Sequence, residues 1–88
     1  YNATTLTLLE SIFRENGYVV RYEKGSFNSG YCILQDKRVV VINKFFDTEG
    51  RINTLIDIMG QVELSGEKLD EKQLALFTKL SQQKLELE

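Results

Sequence analysis

The sequence predicts an α+β fold in a single domain. Apolar residues recur at helical spacing near both ends of the chain. Between them stand three short β-branched and aromatic segments, separated by polar, turn-forming stretches. The expected order is α-β-β-β-α-α over residues 1–86, with a three-stranded antiparallel sheet packed against helices. The closing Leu87–Glu88 is expected to be a tail left by cloning, outside the domain.

The first helix is expected from about Thr4 to Asn16. Leu6, Leu9 and Phe13, with Leu8 and Ile12, fill one broad apolar face. Glu10 and Arg14 stand one turn apart and can pair on the wet side. Gly17 suits the left-handed residue that closes a helix. Residues 18–23, YVVRYE, read as a strand and 24–30, KGSFNSG, as a loop. Residues 31–35, YCILQ, and 38–44, RVVVINK, read as two more strands. Asp36 and Lys37 between them imply a tight antiparallel hairpin.

That register puts Leu34 opposite Val39 and Cys32 opposite Val41 on one face. Tyr31, Ile33, Val40 and Ile42 fall on the other. Both faces are then apolar, so both need cover. Either the helices divide between them or one face meets a partner.

The second helix begins near Asp47 or Thr48, both good N-caps, and carries Ile52, Leu55, Ile56 and Met59 as its stripe. Gly60 stands near its end. The third helix opens on a capping box, Asp70 with Gln73, and a hydrophobic staple, Leu69 with Leu74. Leu76, Phe77 and Leu80 supply its apolar side, and it is expected to decay in QQKLELE.

Composition narrows the function. The 88 residues allow one modest core, burying roughly 60–65% of the unfolded surface. A net charge of −2 points neither to nucleic acid nor to a membrane surface. Residues 1–46 hold six Lys/Arg and four Asp/Glu, a net of +2. The aromatics Tyr18, Tyr22, Phe27 and Tyr31 interleave with Arg21, Lys24 and Arg38, but this field is too weak for a single-strand nucleic-acid platform. The longest apolar run, VVVI at 39–42, is far too short to span a membrane. One cysteine permits no internal disulfide and fits a reducing, cytoplasmic compartment. Cys32 on a strand reads as a small core residue, and Asp47 and Glu49 as helix-capping acids rather than an acid–base pair.

Residues 39–61, VVVINKFFDTEGRINTLIDIMGQ, resemble the core segment of ImmA/IrrE-type zincins. In that family a strand ending in Asn leads through a short turn to a helix carrying TL-A-H-E-L-G-H. Aligned on Thr54, Leu55 and Gly60, the resemblance places the first zinc histidine at Asp57, the general-base glutamate at Ile58 and the second histidine at Gln61. It implies a metallopeptidase core without its ligands. Zinc held this way needs two imidazoles on one helical face and a carboxylate that activates water. This chain has no histidine. No metal, cofactor or catalytic set is expected.

The chain is therefore expected to be a non-catalytic binding domain, with a protein partner or a second copy of itself. The expected contact surface is Tyr31, Ile33, Val40 and Ile42, or Phe45 and Phe46, since adjacent phenylalanines do not readily both point inward. An alternative is an anion site in the 24–30 loop, where Lys24, Gly25, Ser26, Ser29 and Gly30 offer a cation, hydroxyls and backbone N–H groups. The order of these residues is not that of a P-loop.

Overall fold

The computed structural model describes residues 2–24 and 31–87. The elements are α1 (Ala3–Glu15), β1 (Val19–Glu23), β2 (Tyr31–Leu34), a 3-10 turn (Gln35–Lys37), β3 (Val39–Asn43), α2 (Thr48–Met59) and α3 (Glu71–Leu87). The class is α+β, as the sequence predicts.

The sheet is mixed, which corrects the antiparallel expectation. Its order is β1-β3-β2. β3 pairs parallel with β1, Val19 to Val39 through Glu23 to Asn43. It pairs antiparallel with β2, Leu34 to Val39 through Tyr31 to Ile42. The β2–β3 register is the expected one. The connection is a 3-10 turn followed by Arg38 at φ 52, rather than two residues alone. The physical reason for the order lies in β3. Its VVVIN is the most apolar strand, and the central place shields both of its edges. Chain-neighbour pairing of β1 with β2 would leave that strand at an edge.

One face of the sheet meets the helices. Val40 and Ile42 are fully buried, and Val20, Tyr22 and Ile33 pack around them. Leu6, Leu9, Ile12 and Phe13 of α1, Ile52, Leu55 and Ile58 of α2, and Leu80 of α3 join the same cluster. The described helices do not divide between the faces. On the opposite face Val19 is 53% and Leu34 42% exposed, while Val41 is covered.

The stripe of α2 is rotated from the expected one. Ile58 is fully buried, whereas Ile56 and Met59 are half-buried flanks. The helix ends at Gly60, as expected. In α1, Asn2 caps the N-terminus by accepting from Thr5 N at 3.0 Å. Gly17 takes φ +84, the left-handed conformation that only glycine adopts cheaply. The capping box of α3 forms in both directions: Asp70 Oδ1 accepts from Gln73 N at 2.8 Å and Gln73 Oε1 from Asp70 N at 2.9 Å. Leu74 of the expected staple is exposed and lies over Gly66, where an added Cβ would stand 2.9 Å from Leu74 Cδ1. The helix continues through QQKLEL to Leu87 instead of decaying.

Two polar clasps tie the helices. Gln73, buried, donates from Nε2 to Ser11 Oγ at 2.8 Å and so joins α3 to α1. Asn16 accepts from Ser65 N at 2.7 Å and donates to Ile12 O at 2.9 Å, which fixes the α2–α3 loop to the end of α1.

The rotated stripe has a direct check. Ile58→Ala is expected to destabilise the fold by about 2–5 kcal/mol in urea unfolding, because it opens a cavity in a closed core. Met59→Ala, at the margin, is expected to cost less than half as much.

Candidate functional site

The turn between β3 and α2 carries the most exposed large apolar side chain among the described residues. Phe45 is 69% exposed. Its neighbour Phe46 turns inward and packs on the core. The two phenylalanines thus split between solvent and core, as their adjacency suggests.

This turn is held from several sides. Asn43 closes β3, and its Oδ1 accepts from Phe45 N at 3.0 Å. Its carbonyl accepts from Phe46 N at 3.2 Å. Lys44 N donates to Glu23 O at 3.1 Å, so the turn stays attached to β1. Asp47 caps α2, with Oδ1 accepting from Gly50 N at 2.8 Å. Gly50 makes this close approach easy: a Cβ there would lie 3.1 Å from Asp47 Oδ1 and 3.4 Å from Phe46 Cβ, close enough that the cap would have to shift slightly.

Arg51 reaches back from α2 across the turn. Its Nε donates to Phe46 O at 3.0 Å and its Nη2 to Lys44 O at 2.9 Å. These are the carbonyls on either side of Phe45. The guanidinium lies over the Tyr22 ring, 4.3 Å from its centroid. Tyr22 Oη in turn donates to the Glu10 carboxylate on α1. Glu10, expected to pair with Arg14, faces the sheet instead. Lys44 Nζ stands 5.5 Å from the Phe45 ring.

The Tyr22 phenol is pushed well above its ordinary value. Burial is the largest cause, followed by the hydrogen bond to Glu10 and that group's negative charge; the Arg51 cation opposes them.

The other expected sites are placed as follows. Val40 and Ile42 lie in the core and Ile33 packs against it, so these residues of the expected contact face are covered by the helices. The apolar face turned away from the helices is the other one. Tyr31 and Cys32 pair in register with Ile42 and Val41. Lys24 is exposed just after β1. Gly25, Ser26, Ser29 and Gly30 of the expected anion loop lie outside the described residues. At the zincin positions, Ile58 is fully buried, and Gln61 Nε2 lies 3.5 Å from Asp57 Oδ2 on an exposed surface. Among the described residues, no three His, Cys, Asp or Glu side chains form a group able to hold a metal ion. No described helix is long and apolar enough to cross a membrane.

Arg21 and Arg38, two of the cations that interleave with the aromatics, are engaged within the fold. Arg21 pairs with Glu23 at 2.7 Å. Arg38 donates to Asn16 O at 3.1 Å and stands 5.9 Å over the Tyr18 ring. A cleft of about 340 Å³ beside it mixes Arg14, Arg38 and Lys68 with Glu15 and Glu67. The charges alternate and no single sign converges there.

The sequence pattern alone does not mark the Glu10–Tyr22 bond, and it marks Arg51 only faintly. One signal was present for Arg51. A cation in the first turns of a helix opposes the helix dipole, which favours anions there. Its place at that end asks for a compensating contact.

Comparisons with protein-family models, with curated proteins and with solved structures return no match. The structure itself defines the class: a small α+β domain with a mixed three-stranded sheet and a braced turn that displays a phenylalanine.

The Tyr22 shift has a measurable sign. With its folded value raised, the folded state holds the phenolic proton more tightly than the unfolded chain. The resulting stability is fully present below about pH 10 and is lost as pH rises above it. In urea titrations, Tyr22→Phe is expected to lose stability less steeply above pH 10 than the unaltered protein. Equal slopes would contradict the assignment.

Proposed function

We propose that the chain is a non-catalytic interaction domain of a reducing, intracellular compartment. Phe45 is its docking residue, and the receiving surface belongs to a protein, a second copy of the chain included. The observation that carries this reading is an outward phenylalanine on a turn fixed by hydrogen bonds on both sides. Burial of a phenylalanine removes about 150–250 Å² from water, so docking this exposed ring recovers on the order of 2–4 kcal/mol. A turn already held in place loses little further conformational freedom on binding. Lys44 lies near the ring, so a matching pocket is apolar with a carboxylate at its rim.

The absence of histidine supports a role without zinc peptidase chemistry. Descent from an ImmA/IrrE-type zincin core is compatible with this reading. The TL…G helix would then have kept its packing while the ligand positions became Asp57 and Gln61. Val19 and Leu34 on the helix-free sheet face offer a smaller, secondary apolar contact.

Phe45→Ala is expected to change unfolding stability by less than about 0.5 kcal/mol, because the ring is mostly in water. Sedimentation velocity across the micromolar range is expected to show mass-action self-association that this substitution abolishes. A constant monomer sedimentation coefficient would remove the second copy from the reading.

A further inference from the structure

We infer that Arg51 is the positioning residue of this turn: its guanidinium fork, laid on the Tyr22 ring, fixes Phe45 outward. The inference rests on the reading of Phe45 as the docking residue, but its geometry stands independently.

Phe45 is mostly exposed and has little packing to hold it. Its orientation is therefore set by the backbone at 44–46. Asn43 fixes the Phe45 N–H from the strand side. The Lys44 and Phe46 carbonyls are both taken by Arg51, at 2.9 and 3.0 Å. One side chain thus brackets Phe45 on both sides. Two parallel donors from one planar group set a distance and an angle together, which an ammonium cannot do.

The fork is itself oriented. The Tyr22 ring supplies a flat support at 4.3 Å. Tyr22 is tied to Glu10 of α1 through its hydroxyl. The line Glu10–Tyr22–Arg51 therefore runs from α1 through β1 to α2, and ends on the turn that displays Phe45. Loss of ring support lets the guanidinium swing, and the two carbonyls then bond to water in many arrangements.

Arg51→Lys separates positioning from charge. It keeps the cation and removes the fork. Amide hydrogen exchange at Phe45 is expected to quicken by about tenfold or more, while the amides of β3 are unchanged. Tyr22→Leu, which removes the flat support, is expected to move the same amide in the same direction. Unchanged exchange at Phe45 in a folded Arg51→Lys protein would overturn the inference. A measurement on the unaltered protein covers the case in which the variants fail to fold. There the Arg51 Nε–H is expected to exchange about tenfold or more slower than that of exposed Arg14. Equal rates would overturn the inference too. None of these measurements involves a partner, so a failure of docking and a failure of positioning remain distinguishable.

Discussion

A three-stranded sheet has one interior strand, and the placement of β3 there governs the rest of this fold. Val40 and Ile42 of that strand are fully buried against the helices, and both of its edges are hydrogen-bonded. β3 also leads directly into the Phe45 turn and α2. Ile52, Leu55 and Ile58 of α2 are buried in the same core cluster, and α2 packs chiefly against α1. The turn is therefore fastened at both ends to the best-packed elements of the chain. That setting lets a mostly exposed phenylalanine keep a defined position with little packing of its own.

Arg51 shows how a locally unfavourable choice is offset by its surroundings. Near the start of α2 its charge meets the positive end of the helix dipole, a cost of roughly 0.3–1 kcal/mol. Two hydrogen bonds from the charged donor to backbone carbonyls offset it. The Tyr22 ring adds a cation–π contact of about 0.5–2 kcal/mol. The same ring is held by Glu10, so the network crosses three elements that the apolar core joins only by non-directional packing. Gln73 to Ser11 and Asn16 to Ser65 do comparable work elsewhere, setting how α3 and the α2–α3 loop sit on α1.

Much of this architecture was legible in the residues. The periodicity of α1, the Asp70–Gln73 capping box and the Gly17 stop each rest on local chemistry, and each stands where that chemistry puts it. The β2–β3 register followed from a short connection and is the observed one. The parallel β1–β3 pairing was not legible, because strand order depends on which strand most needs the interior, not on neighbours in sequence. The continuous apolar run of β3 was the available signal. The α2 stripe is rotated from the expected one because Ile52, Leu55, Ile56, Ile58 and Met59 offer two overlapping stripes that share Ile52 and Leu55, and only the tertiary packing, chiefly against α1, chooses between them. In the candidate site, the outward turn of one phenylalanine could be anticipated from the Phe45–Phe46 pair. Arg51 as its brace could not, since it joins carbonyls and a ring that only the fold assembles.

The central claim is that Phe45 docks. Its most direct test replaces Phe45 with the photo-reactive analogue benzoylphenylalanine and irradiates the protein in extract of its source cells. Leu74, also exposed but outside the turn, serves as the control position. The account predicts a discrete adduct from position 45 and none from position 74. Where the adduct is with another protein, excess unaltered protein should suppress it and excess Phe45→Ala protein should not; where it is with a second copy, its mass is that of two chains. No adduct at position 45, or an adduct with another protein that both competitors suppress equally, would contradict the claim.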